Sequence, residues 1–162
     1  MIRSQRTKQG GRIKRTRPVN FSFDGADYTG FEGDTLASAL LANNIRTVRR
    51  SFKFRRPRGI MGSGSEEPNG IVEIGSGDTF TPNLRATQVE LYEGLVAHSS
   101  SGWPNTNFDI LSILDYVGRL LPAGFYYKTF MWPRAFWNWY EQNIRRMSGL
   151  GRAPSVADKD KY

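Results

Sequence analysis

Val19-Asn20-Phe21-Ser22-Phe23-Asp24-Gly25-Ala26-Asp27-Tyr28-Thr29-Gly30-Phe31-Glu32-Gly33-Asp34-Thr35-Leu36-Ala37-Ser38-Ala39-Leu40-Leu41-Ala42 changes its hydrophobic period partway along, and that change decides the fold. Up to Phe31, apolar and polar residues alternate, as they do in a half-buried strand. Asp24-Gly25 interrupts the alternation with a strong turn pair. The two halves therefore predict a β-hairpin whose loop holds two residues or slightly more. From Leu36 the spacing becomes helical, with Leu36, Ala37, Leu40 and Leu41 in one apolar stripe. Asp34 is placed to open this helix, because its carboxylate can accept from free first-turn amides and suits the positive end. Asn43-Asn44 is the expected stop.

Working outward, Val48 to Phe54 alternates again, with Phe52 and Phe54 on one face and Ser51, Lys53 and Arg55 on the other. Pro57 to Gly70 is rich in Gly, Ser and Pro and predicts a loop. Ile71-Val72-Glu73-Ile74 predicts a short strand, Gly75 to Asn83 a turn-rich stretch, and Gln88 to Tyr92 a last short strand. Strand, strand, helix, strand, loop, strand, strand is not a βαβαβ alternation. It predicts an α+β fold of the β-grasp kind across residues 18–97, a small mixed sheet wrapped over one helix. Residues 1–17 read as a flexible basic arm.

Residues 98–150 read as a helical, aromatic-rich extension. Phe108, Ile110, Leu111, Ile113, Leu114, Val117, Leu120 and Leu121 fit one apolar helix ending before Pro122. Pro133 suits the first turn of another, with Phe136, Trp139, Tyr140, Ile144 and Met147 on its buried face. Residues 151–162 read as a polar linker.

The chain has 162 residues and no cysteine. Disulfides, thiol nucleophiles and thiolate metal sites are thereby excluded together. No apolar run approaches the roughly 20 residues of a membrane span, and the basic N-terminus lacks a signal-peptide core. A cytoplasmic protein is the expectation. The net charge of +8 is concentrated in two places. Seven basic residues lie in the first 18 positions and seven more in residues 46–58, with no acid in either segment.

The stretch Arg58-Gly59-Ile60-Met61-Gly62-Ser63-Gly64-Ser65-Glu66-Glu67-Pro68-Asn69-Gly70 sits where a ferredoxin of this topology holds its cluster. Such a cluster uses C-x4-C-x2-C and a distant fourth cysteine. That spacing puts Gly62, Glu67 and Gly70 at the first three positions, and the segment Asn83 to Thr87 puts Thr87 at the fourth. None is a thiolate donor, so cluster-based electron transfer is chemically closed.

Several segments together resemble the start of the α subunit of heterotetrameric sarcosine oxidase. They are Asp34 to Ala42, Arg50 to Phe54, Arg56 to Ile60, Glu67-Pro68-Asn69, Pro82 to Thr87, and Leu121-Pro122-Ala123-Gly124-Phe125-Tyr126-Tyr127-Lys128-Thr129-Phe130-Met131-Trp132-Pro133. The resemblance covers most of residues 17–162. Related cluster-bearing modules occur in hydrogen cyanide synthase and similar amine dehydrogenases, and the cysteine-free loop is similar to the sarcosine oxidase branch.

The resemblance implies a cluster-less ferredoxin-like module within a complex that demethylates sarcosine oxidatively to glycine. Oxygen would become hydrogen peroxide, and tetrahydrofolate would capture the one-carbon unit. The complex would carry FAD, FMN and NAD. A nucleotide-binding domain would follow this module, and a folate-binding domain would come later. The chain reads as an N-terminal fragment that binds none of these cofactors, and no catalytic residue carries over to it.

Other features have plain readings. Gly62-x-Gly64 lacks the third glycine of a nucleotide loop. Glu66-Glu67 is expected to be solvated. His98 is the sole histidine and has no companion ligand. Ser99-Ser100-Ser101 lacks a nucleophile elbow. Nine aromatic residues fall between Phe125 and Tyr140, more than one helix face can bury. Tyr126, Tyr127, Phe130, Trp132, Trp137 and Trp139 are therefore expected to cover another domain or subunit. The alternative reading is a freestanding basic module for nucleic acid or another anionic partner. Strand alternation opposes it by turning Phe52 and Phe54 into the core, away from the charges.

Overall fold

A computed structural model describes residues 5–102, 104–113, 116, 124 and 132–148. The alternating stretch forms β1 (Lys14–Phe23) and β2 (Ala26–Glu32), paired antiparallel with Phe23 opposite Ala26. The loop between them is Asp24-Gly25 alone. Both residues take left-handed backbone, at φ 50° and 79°, as a tight turn matched to strand twist requires. The helix α1 runs Leu36–Ala42 and stops at Asn43, with Asn44 at φ 63°.

The helix start differs from the expectation. Thr35, not Asp34, is the cap: its side chain accepts from the Ser38 amide, and the Ser38 hydroxyl accepts from the Thr35 amide. The buried stripe is Leu36, Ala37, Ala39, Leu40 and Ala42, while Leu41 is exposed.

Two short strands, β3 (Arg49–Arg50) and β4 (Pro57–Arg58), pair as a separate hairpin. β5 (Ile71–Ile74) is followed by β6 (Thr81–Arg85) and β7 (Leu95–Ser99). The main sheet has the order β2-β1-β7-β5-β6, with β1 and β7 parallel and the other pairs antiparallel. Helix α1 supplies Leu36, Ala37, Ala39 and Leu40 to a core shared with Phe21, Phe23, Val72, Ile74, Leu95 and Ala97 from the sheet. The fold is thus an α+β sheet of the β-grasp kind.

The last strand is not Gln88–Tyr92. That segment crosses the start of α1, where the Leu36 amide donates to Val89 and the Leu91 amide to the Asp34 carbonyl. Only Glu90 makes a bridge, to Thr35. A turn ending at Gly94, φ 77°, then redirects the chain into β7.

The arm is not loose over its whole length. β1 begins at Lys14, and the Gln5 amide donates to the Ala42 carbonyl at 3.1 Å. Arg6 clasps Asp34 with two parallel hydrogen bonds of 2.8 and 2.7 Å, and its guanidinium lies 5.1 Å from the Phe31 ring centre. Lys14 and Arg17 pair with Glu32 on the surface.

The stretch after Val48 also departs from its alternation. Val48 is fully buried, but residues 52–54 form a turn and Phe52 and Phe54 lie outside the core. Arg55 takes φ 47° and swings inward, where its Nε donates to Asp109 at 2.8 Å with both side chains buried. Arg50 donates to the Thr106 carbonyl through Nε and Nη2, and its backbone exchanges two hydrogen bonds with the Ser101 hydroxyl. The basic hairpin thus clamps Ser101, Thr106 and Asp109 onto the domain.

Past the sheet, a 3-10 turn spans Ile110–Ile113, a second spans Arg134–Phe136, and helix α2 covers Trp137–Ser148. Leu114, Val117, Leu120 and Leu121 of the first expected helix fall outside the described residues, as do residues 151–162. On the second, Phe136 and Trp139 are exposed rather than buried. Among the described residues, no helix is long and apolar enough to cross a membrane.

Candidate functional site: a cluster loop closed on Glu67

The loop from Gly59 to Gly70 connects β4 to β5. Its return is fixed just past the end of β6, where the Ala86 amide donates to the Gly70 carbonyl at 2.8 Å. That bond brings Thr87 alongside, and its hydroxyl donates to the Gly64 carbonyl at 2.7 Å. Ala86 in turn accepts from the Ala37 amide, so the loop is anchored through residues 86 and 87 to the first turn of α1.

Glu67 occupies the middle of the loop and is only 1% exposed. Its Oε2 accepts from the Met61 amide at 2.7 Å and from the Gly62 amide. Its Oε1 accepts from the Asn69 and Gly70 amides at 2.8 and 2.9 Å. Burial pushes this carboxyl's pKa up, but the four amides outweigh burial and hold it below the ordinary glutamate value. The expectation of two solvated neighbours fails for Glu67 and holds for Glu66, which is exposed. A carboxylate with four backbone donors is satisfied where an unpaired one would be prohibitive. Sequence alone offered a faint signal, a glutamate among glycines whose freed amides can turn inward.

The four positions aligned with cluster ligands lie close together. A Cβ built on Gly62 would stand 3.3 Å from the Glu67 Oε2, and one on Gly70 would stand 3.1 Å from the Glu67 Cγ. Thr87 is buried one hydrogen bond away, at Gly64. The donors available are one carboxylate and one hydroxyl, both hard, with no side chain at all on the two glycines. Iron–sulfur clusters require soft thiolate or imidazole donors, so this set does not fit one.

The remaining candidates do not assemble into a reaction centre. His98 lies on β7 opposite Glu73, and no group of three metal-ligating side chains gathers among the described residues. The Ser99 amide donates to Asp24 and the Ser101 hydroxyl is engaged with the Arg50 backbone. Of the six aromatics expected to meet a partner, Trp132 is 81% exposed, Trp139 62% and Trp137 36%. Tyr126, Tyr127 and Phe130 lie outside the described residues.

With this geometry in place, comparison with known proteins is informative. Residues 16–102 match the family described as "2Fe-2S iron-sulfur cluster binding domain". The sarcosine oxidase subunit alpha of Rhizobium meliloti (strain 1021) is 52% identical over 160 residues, covering 98% of this chain and 16% of that protein. The sarcosine oxidase subunit alpha of Corynebacterium sp. (strain U-96) is 41% identical over 96 residues, 57% of this chain and 10% of that protein. The chain therefore spans a sixth or less of the length of these relatives. A solved structure of L-proline dehydrogenase from P. horikoshii aligns over 52% of this chain and 16% of its own, at 27% identity and TM-score 0.40. The chain is a homologue of sarcosine oxidase alpha subunits, and it belongs to the 2Fe-2S iron–sulfur cluster binding domain family, with a carboxylate and no thiolate at the heart of its loop.

Proposed function

We propose that this chain serves as the N-terminal structural and interface module of a sarcosine oxidase alpha subunit. The observation that carries the reading is the 52% identity along 98% of the chain. The parent complex would convert sarcosine to glycine, reduce oxygen to hydrogen peroxide and pass the one-carbon unit to tetrahydrofolate. FAD, FMN and NAD would belong to the rest of that cytoplasmic complex. Residues 98–150 would supply contact surface to the other alpha domains and subunits, and residues 151–162 would lead toward a nucleotide-binding domain. The exposed Trp132, Phe136 and Trp139 support this, because large aromatics bury well at subunit contacts. The module itself would be non-catalytic, a reading supported by the lack of thiolate donors at positions 62, 67, 70 and 87.

The freestanding anion-binding reading loses its main opponent, since Phe52 and Phe54 are not in the core. It gains no support in return. The Phe54 ring already carries Lys53 Nζ at 4.8 Å and Arg56 Cζ at 4.9 Å, while Arg50 and Arg55 are spent inside the chain.

The test is to isolate the protein from its native source and measure intact mass, flavin absorbance and sarcosine-dependent peroxide formation. The expected result is a flavin-bearing complex far larger than this chain. A native species of this chain's own mass, without flavin and with salt-sensitive nucleic-acid affinity, would contradict the reading.

A further inference from the structure

The loop's most unusual feature is a buried carboxylate held by backbone amides alone among the described residues. No ion pair among the described residues includes Glu67; the nearby Arg85 Nε instead donates to the Glu67 backbone carbonyl at 3.3 Å. The charge is held by amides from both arms of the loop, Met61 and Gly62 on one side and Asn69 and Gly70 on the other. Converging backbone N–H groups of this kind form a general anion-binding concavity, used for phosphates and iron–sulfur centres alike.

We propose that the Glu67 carboxylate is the loop's resident anion, occupying the place and the amide donors that would otherwise receive a cluster, so that the loop folds without metal. Its geometry accounts for more than its own burial. Neither Gly62 nor Gly70 lies in the left-handed region, so the backbone does not demand glycine at either position. A sulfur carried inward on either would enter the space Glu67 fills, since the Cβ alone would already lie 3.3 or 3.1 Å from its side chain. An inward thiolate set and Glu67 therefore exclude one another. Loss of the cluster ligands and gain of the carboxylate are two halves of one arrangement. The inference stands on the loop itself, whatever larger protein the chain serves.

The test uses Glu67→Ala and Glu67→Gln in the full chain. Removing the carboxylate strands four donors, and Gln presents an NH2 group to two of them. Both variants are expected to melt about 5 °C or more below the wild type, judged from the usual effect of unmet buried donors. Added sodium formate, a free carboxylate small enough for the vacated site, is expected to raise the Glu67→Ala midpoint more than the wild-type midpoint. Sodium chloride at equal ionic strength controls for salt. Where Glu67→Ala fails to fold, hydrogen exchange on Glu67→Gln decides. The Met61, Gly62, Asn69 and Gly70 amides should exchange at least about tenfold faster than in the wild type. Wild-type stability in both variants, formate acting equally on wild type and Glu67→Ala, or unchanged exchange at the four amides would each overturn the proposal.

Discussion

Replacing Arg6 by alanine isolates the contact that ties the basic arm to the domain. Asp34 is 1% exposed and sits between β2 and α1, accepting from both Arg6 nitrogens, the Phe31 amide at 2.9 Å and the Ser38 hydroxyl at 2.7 Å. Burial pushes its carboxyl up, but Arg6, Ser38 and Phe31 together hold it below the ordinary aspartate range. Breaking a buried pair by deleting one partner costs about 3–5 kcal/mol. Two neutral hydrogen bonds would survive here, and the Arg6 side chain is 15% exposed, so the lower end applies, about 3 kcal/mol. That is a roughly hundredfold shift in the unfolding equilibrium.

The sign of the pH dependence follows from the same site. In the wild type the folded pKa is depressed, so this stabilisation is fully present above the unfolded value of about 3.9 and disappears as pH falls through the folded value. In Arg6→Ala, burial acts without the guanidinium and the Asp34 pKa rises. The penalty should therefore shrink as pH falls through the carboxylate range, because the stranded carboxylate takes a proton before the wild-type one does. Urea unfolding of both proteins across that range measures it. Arg6→Lys, which keeps charge but loses the fork, should fall between them. A loss under about 0.5 kcal/mol at neutral pH, as for an ordinary surface change, would refute the reasoning. So would a penalty that does not change with pH.

Arg55→Ala should cost about 3 kcal/mol or more in the same assay, because Asp109 would stay buried without its cation. Arg55→Ala with Asp109→Asn should recover part of that loss. The exposed Trp132, Phe136 and Trp139 predict concentration-dependent self-association of the isolated chain, which serine at all three should reduce in analytical ultracentrifugation. A wild-type chain that stays monomeric and binds no hydrophobic dye would count against the interface reading. Cysteines placed together at positions 62, 67, 70 and 87 should permit a 2Fe–2S chromophore on reconstitution, since Glu67→Cys vacates the centre of the loop. A folded quadruple variant that takes up no cluster would weaken the correspondence of those four positions.

The sequence carried the hairpin, α1 and β5 because each obeys one strong local rule: alternation with Asp24-Gly25, helical spacing from Leu36, and a short apolar run. It misplaced features set by contacts distant in the chain. Val48 to Phe54 alternates like a strand, yet Arg55 is drawn inward by Asp109, 54 residues later, and breaks the period. Gln88 to Tyr92 has strand-like residues, yet its backbone groups serve the start of α1. Asp34 reads as a cap, but Arg6 recruits its carboxylate and Thr35 takes the capping role. At the loop, spacing located Gly62, Glu67, Gly70 and Thr87 as the positions of missing ligands. What fills the gap was not legible, because a glutamate's burial depends on where backbone amides point.

Anaerobic reconstitution of the wild-type chain with iron and sulfide, followed by iron and acid-labile sulfide determination, tests the central claim most directly. With Glu67 holding the amides of residues 61, 62, 69 and 70, and no thiolate at positions 62, 67, 70 and 87, the chain should retain no stoichiometric iron or sulfide and develop no visible charge-transfer bands. Retention of about two irons and two sulfides per folded chain, as in a 2Fe–2S centre, would contradict it.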